Sequence, residues 1–206
     1  MDGDKADIKG LAGLCADSDS WLMIDDAHGF GVLGDHGAGL CEEQGLGQQQ
    51  VPILMATLGK AVGVSGAFVA GSEELIETLI QQARSYIYTT ASPPALAAAV
   101  MRSLDLIQQE DWGRAKLQEL IAYFKRRMQA LDCQLLASDT AIQPIVIGDN
   151  HQALTISRQL FEQGIHVTAI RPPTVAPGSA RLRITLSAAH ETGDIDRLVK
   201  ALGKLL

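Results

Sequence analysis

Cysteine is scarce in this chain: Cys15, Cys41 and Cys133 are the only three, and no two form a CxxC pair. That spacing argues against a zinc site and leaves reduced thiols as the expectation. Basic residues are also in the minority, 17 Lys and Arg against 24 Asp and Glu, for a net charge of −7. The one basic triplet, Lys125-Arg126-Arg127, falls in an amphipathic helical pattern and reads as a solvated face, so neither nucleic acid nor an anionic membrane is expected as a partner. No apolar run is long enough to cross a bilayer, and no secretory pattern of basic, apolar and small-residue segments is present. A cytoplasmic protein is the expectation. What the chain does have is a hydrophobic content of 47% over 206 residues, enough for a real core.

Two short segments carry chemistry. Trp21-Leu22-Met23-Ile24 is a continuous apolar run that predicts a buried parallel strand, and it ends in Asp25-Asp26-Ala27-His28-Gly29. A carboxylate at the carboxyl end of such a strand stands where open α/β sheets hold ligands. Val51-Pro52-Ile53-Leu54-Met55-Ala56 predicts a second strand, which delivers Thr57 and Lys60 to the same edge through a turn containing Gly59. A free lysine, with a pKa of roughly 10.4, is protonated and inert at neutral pH. Burial beside cationic or cofactor groups lowers that pKa, so that the amine can form a Schiff base with an aldehyde such as pyridoxal phosphate. The pyridine ring of that cofactor needs an acidic partner to act as an electron sink. Asp25 fits that role, His28 the ring hydroxyl, and Thr57 the phosphate. The same residues have plainer readings: Asp-x-x-His also occurs in metal sites, and a Gly-Lys pair after a strand is commonly a surface turn.

Around these segments the pattern alternates. A helix is predicted over 7–16, a glycine-dense loop over 29–39, a strand over 67–70 returning beside the lysine strand, a helix over 73–82, a short strand over 87–90, and a helix over 95–107 opened by Pro93-Pro94. The domain boundary is placed between residues 105 and 106. Beyond it, Leu117, Leu120, Ile121, Phe124 and Met128 mark an amphipathic helix over 111–131. Strands over 142–147, 165–170 and 181–186, with helices over 152–163 and 194–205, then complete an α+β domain. Gly164 is placed to end the first of those helices in a left-handed cap. Alternation puts Arg181 and Arg183 on one strand face, so either can grip a carboxylate through paired guanidinium hydrogen bonds, and a surface ion pair suits Arg181 equally. His190, just before the last helix, reads as structural.

Three segments extend the argument: Asp25 to Gly29, Thr57-Leu58-Gly59-Lys60-Ala61-Val62-Gly63-Val64-Ser65-Gly66, and Ile170-Arg171-Pro172-Pro173-Thr174-Val175. Through them, and through Ile87 to Pro94, Ala141 to Pro144 and Ala180 to Leu186, the chain resembles the α-oxoamine synthases. These are pyridoxal-phosphate enzymes of the aspartate-aminotransferase fold that condense an amino acid with an acyl thioester and release carbon dioxide. The resemblance runs from Met1 to the carboxyl terminus but spans only the second half of a family member. Met1-Asp2-Gly3-Asp4 looks like an internal segment following a central strand. The expected fold is therefore α/β, with residues 1–105 as the C-terminal part of the large cofactor domain and 106–206 as a complete smaller α+β domain.

The resemblance implies pyridoxal 5'-phosphate as cofactor, Lys60, Asp25 and His28 as catalytic residues, and Thr57 as a phosphate ligand. It implies that Thr89 or Thr90 contacts the phosphate of a neighbouring subunit in a homodimer. Arg183 is its first choice for the amino-acid carboxylate, Arg171 a second contributor, and Thr174 a neighbour of the acyl group. The segment Arg171 to Val175 favours the branch of biotin biosynthesis that joins L-alanine to a pimeloyl thioester, on coenzyme A or an acyl carrier protein. Relatives using glycine or serine are the alternative within the family, and a non-catalytic piece that binds cofactor weakly or docks to a full-length subunit is the alternative outside it. Two positions depart from the family pattern: Phe30 stands where threonine is common, and Ala38 where arginine is frequent.

Overall fold

A computed structural model describes residues 1–206. The chain divides into two compact units, Ala6–Trp112 and a second made of Met1–Lys5 with Gly113–Leu206. The units thus part at 112/113, where the sequence reading sets 105/106, and the first five residues belong with the second unit.

The first unit opens with α1 (Ile8–Asp17), whose N-cap is the Asp7 carboxylate accepting the Gly10 N–H at 3.0 Å. Strand β1 (Met23–Asp25) follows, then a short α2 (Leu40–Gln44), β2 (Ile53–Thr57) and β3 (Ala67–Ala70). The strands form one sheet in the order β1-β2-β3, with β1 and β2 parallel and β2 and β3 antiparallel. Helix α3 (Glu73–Gln82) is capped by Ser72, a single turn α4 (Arg84–Ile87) comes next, and α5 (Pro94–Gln109) starts with proline in its first turn.

One face of this sheet is covered. Leu22 and Ile24 pack with Ile8, Leu33, Leu40 and Val51 into a buried cluster. The other face is open, and Trp21 and Met23 are 71% and 54% exposed. The predicted buried strand over 21–24 is therefore corrected: the run is apolar throughout, yet its side chains alternate between a packed and an open face because this unit supplies cover on one side only. The predicted strand over 87–90 is also corrected. Ile87 closes a helical turn, and the Thr89 N–H and hydroxyl bond back to the Tyr86 and Ser85 carbonyls at 2.9 and 2.8 Å, which removes the extended backbone a strand requires.

The second unit begins with α6 (Trp112–Met128), which buries the five apolar residues that mark its periodicity. A four-stranded antiparallel sheet follows, built from β4 (Gln134–Leu135), β5 (Ile142–Gly148), β6 (Thr168–Ile170) and β7 (Ala180–Thr185) in the order β4-β5-β7-β6. Helix α7 (Asn150–Glu162), capped by Asp149 and followed by Gly164 at φ 74°, lies between β5 and β6. Helix α8 (Thr192–Leu202) closes the chain with a reciprocal cap between Glu191 and Asp194. The triplet Lys125-Arg126-Arg127 is committed locally: Lys125 pairs with Asp139, Arg127 with Asp196 at 2.8 Å, and Arg126 lies over the Tyr123 ring.

The first five residues are built into this unit. The Ser138 and Thr140 hydroxyls donate to the Gly3 carbonyl at 3.1 and 3.3 Å, and the fully buried Gln143 amide donates to the Ser138 and Thr140 carbonyls.

Candidate functional site

Parallel pairing fixes the site. Asp25 of β1 is in register with Met55 of β2, and the Asp26 N–H continues the ladder to the Met55 carbonyl at 2.8 Å. Residues in register share a face, and so do residues two apart on one strand. Asp25, Met55 and Thr57 thus stand on the open face of the sheet, at its carboxyl edge. Asp25 is exposed, and its Oδ1 accepts the Ala27 N–H at 3.0 Å, which fixes the carboxylate against its own turn.

Lys60 sits in the loop between β2 and β3. The Leu58 N–H donates to the Gly66 carbonyl at 2.9 Å and the Val64 N–H to the Leu58 carbonyl at 2.8 Å, closing the loop at its base. Gly63 and Gly66, at φ 71° and 106°, take the left-handed backbone this closure needs. The Ser103 hydroxyl of α5 adds a bond to the Val62 carbonyl at 2.6 Å. So held, the exposed Lys60 Nζ donates to Thr57 Oγ1 at 3.2 Å. A primary amine, a hydroxyl and a carboxylate therefore share one sheet edge, with the exposed His28 in the turn beyond Asp25.

The glycine-dense segment ties these pieces together. Gly31 comes so near the lysine loop that a Cβ there would stand 2.8 Å from the Ala61 Cβ. The Phe30 ring meets Phe68 of β3 edge-on at 5.0 Å. Phe30 thus links the aspartate turn to the strand after the lysine loop, a contact that its standing as a departure from the family pattern did not suggest. Beyond it, Glu42 accepts the His36 and Ala38 N–H groups and pairs with the His36 ring at 2.6 Å. The imidazole beside it holds the Glu42 carboxyl below its ordinary value. Thr89 and Thr90 are exposed, and the Thr89 hydroxyl is spent on Ser85.

In the second unit the two strand arginines differ. Arg181 is fully employed: Nη1 pairs with Asp2 at 2.7 Å, Nε donates to the Ser179 carbonyl and Nη2 to the Ser179 hydroxyl. Arg183, in register with Pro144 of β5 and Thr168 of β6, has a buried Nε with no partner. Arg171 and Thr174 are exposed at the end of β6, where the Thr174 N–H donates to the Arg171 carbonyl at 3.0 Å. The Ser187 N–H donates to His190 Nδ1 at 3.1 Å, which fits the structural reading of that residue. Sequence reasoning passed over Asp26, a buried carboxylate whose only signal was its place beside Asp25 at the end of an alternating strand.

The comparisons with known proteins agree along the chain. Residues 1–202 match the family described as aminotransferase class I and II. An 8-amino-7-oxononanoate synthase from Cellvibrio japonicus is 57% identical over 206 residues, covering 100% of this chain and 52% of its own length. Among solved structures, a serine palmitoyltransferase from S. paucimobilis with a bound PLP-myriocin aldimine superimposes with a TM-score of 0.92 at 26% identity, over 100% of this chain and 52% of that one. An 8-amino-7-oxononanoate synthase from Francisella tularensis gives a TM-score of 0.82 at 33% identity, over 94% of this chain and 57% of that one. The chain spans about half the length of the curated relatives it matches.

Proposed function

Because the chain belongs to the aminotransferase class I and II family, we propose that it carries part of the active site of a pyridoxal-phosphate acyltransferase of biotin biosynthesis. The reaction is the decarboxylative condensation of L-alanine with a pimeloyl thioester to 8-amino-7-oxononanoate. The single observation that carries this reading is the placement of Lys60 Nζ on Thr57 Oγ1, at the sheet edge where the parallel neighbour of that strand ends in Asp25.

The residues fit the cofactor in kind. Lys60 supplies the amine that anchors its aldehyde, Asp25 the carboxylate that keeps the ring nitrogen protonated, His28 a partner for the ring hydroxyl, and Thr57 a hydroxyl for the phosphate. Thr89 or Thr90 is assigned to the phosphate of the other subunit in a homodimer. Bound there, pyridoxal phosphate supplies an electron sink for the carbanion left when the alanine α-proton is removed. Lys60, whose Nζ lies on Thr57 Oγ1 at the same edge, would be the base that takes and returns that proton.

For the substrate carboxylate, the partnerless Nε of Arg183 supports Arg183 over Arg181, with Arg171 a second contributor and Thr174 assigned to the acyl substrate side. The 57% identity to a named 8-amino-7-oxononanoate synthase, against 26% to a serine palmitoyltransferase, favours alanine and a pimeloyl thioester over other substrates. In the domain terms of the family, 1–105 belongs to the large cofactor domain and 106–206 to the small one. The setting is cytoplasmic.

A second reading is favoured by the open sheet face: residues 1–206 by themselves bind the cofactor weakly and turn nothing over. One experiment tests both. The purified chain is titrated with pyridoxal phosphate, reduced with borohydride, and mapped by mass spectrometry. A stoichiometric adduct on Lys60, lost in Lys60→Ala, supports the site; scattered labelling of many lysines refutes it. Product formed from alanine and pimeloyl-coenzyme A by the same mass-verified chain would dispose of the second reading.

A further inference from the structure

The two adjacent carboxylates at the end of β1 face opposite ways. Asp25 stands on the open face, whereas Asp26, 4% exposed, turns into the covered side. There Asp26 Oδ2 accepts the Leu40 N–H at 2.7 Å, across 14 residues, while Oδ1 lies against Gly29. Its backbone carbonyl accepts from Gly29 and Phe30 at 3.1 and 2.9 Å.

The cradle is shaped to this group. A Cβ on Gly29 would overlap Oδ1, and a Cβ on Gly39 would overlap Oδ2. Both ends of the loop 29–39 therefore close on one side chain, and both close approaches require glycine. His28 lies immediately before that loop, and the Ala27 N–H that orients Asp25 lies one residue further back.

We infer that Asp26 is a positioning residue for the site: by holding the Leu40 N–H and packing its carboxylate against Gly29 and Gly39 it sets the turn that aims Asp25 and His28. The inference rests on the cofactor reading of those two residues, but the clamp itself is testable without cofactor. Burial raises the Asp26 carboxyl above its ordinary value, and backbone N–H donation offsets that only in part.

Amide hydrogen exchange of the 206-residue chain reads the clamp directly. In Asp26→Ala, exchange at Leu40 should rise about tenfold, the loss of one hydrogen bond. The Ala27 N–H, which bonds Asp25 Oδ1 rather than the Asp26 side chain, should rise with it. Asp26→Asn keeps an acceptor for Leu40 and should restore protection at Ala27. Gly29→Ala, which displaces the carboxylate without removing it, should reproduce the alanine variant and serves if Asp26→Ala does not fold. Strand amides of β5 and β7 report that the second unit is intact.

Release of Leu40 with Ala27 unchanged would make Asp26 a local brace and overturn the inference, as would unchanged exchange at Leu40. The cofactor reading fails separately, if the parent chain forms no Lys60 adduct with pyridoxal phosphate. Where the adduct forms, Asp26→Ala should weaken it about tenfold while still labelling Lys60, and parental affinity there would also overturn the inference.

Discussion

Arg181 Nη1 and Asp2 Oδ2 lie 2.7 Å apart in a largely buried ion pair, with side chains 12% and 19% exposed. The pair joins the second residue of the chain to β7, one of the two central strands of the second unit's sheet. It also separates two arginines that alternation alone leaves equivalent. Arg181 works inside the fold, whereas the buried Nε of Arg183, two residues on, has no partner.

Stability should therefore discriminate between them. Arg181→Ala leaves the Asp2 carboxylate without its cation and should cost about 1–3 kcal/mol in urea denaturation. Arg183→Met keeps the side-chain volume, removes a donor that nothing satisfies, and should fall within about 1 kcal/mol of the parent or above it. If Arg183→Met proved the more damaging change, the assignment of the two roles would be reversed.

Phe30 and Phe68 meet edge-on at 5.0 Å and join the aspartate turn to β3. Such pairs contribute about 0.5–1.5 kcal/mol beyond the area they bury. A double-mutant cycle with Phe30→Leu and Phe68→Leu should return a coupling energy of that size. Additive single effects would mean that the rings pack independently, and that the aspartate turn and β3 are not joined there.

Much of this architecture is legible in the sequence, and the exceptions have physical causes. Helices α3 and α6 stand where periodicity and caps place them, because Ser72 and the stripe Leu117, Leu120, Ile121, Phe124, Met128 are local signals. The segment over 87–90 misleads because Ile, Tyr and Thr favour strands, yet the Thr89 hydroxyl bonds back to the Ser85 carbonyl and holds a turn. Strand β4 and helix α2, of two and five residues, are too short for any periodicity. The amine, hydroxyl and carboxylate of the site are legible because strand ends name them. The clamp on Leu40 is not, since it spans 14 residues and leaves no pattern.

The Asp26 carboxyl lies above its ordinary value of 3.8, first because burial disfavours its charge and then because Asp25 and Glu43 repel it. An acid raised in this way binds its proton more tightly folded than unfolded. Its contribution to stability is therefore complete below 3.8 and is lost as pH rises through the folded value. Asp26→Asn removes that loss. The urea midpoint of the variant relative to the parent should move in the variant's favour between about pH 3 and about pH 7. A difference that stays constant over that range would show that Asp26 titrates alike in both states.

Gly3 and Gly164 both take left-handed backbone, at φ 79° and 74°, but only Gly3 is enclosed. A Cβ on Gly164 meets nothing within 4 Å, so Gly164→Ala should cost about 1 kcal/mol, the backbone strain alone. A Cβ on Gly3 would stand 2.5 Å from the Ile142 carbonyl oxygen and 2.7 Å from the Thr140 hydroxyl, and closer still to Ser138 Oγ. The Ser138 and Thr140 hydroxyls are the groups that hold the Gly3 carbonyl, so the side chain would have to break the bonds that place it. Gly3→Ala should thus cost more than about 2 kcal/mol in the same denaturation experiment. Equal effects from the two substitutions would mean that the first five residues are not anchored in the second unit.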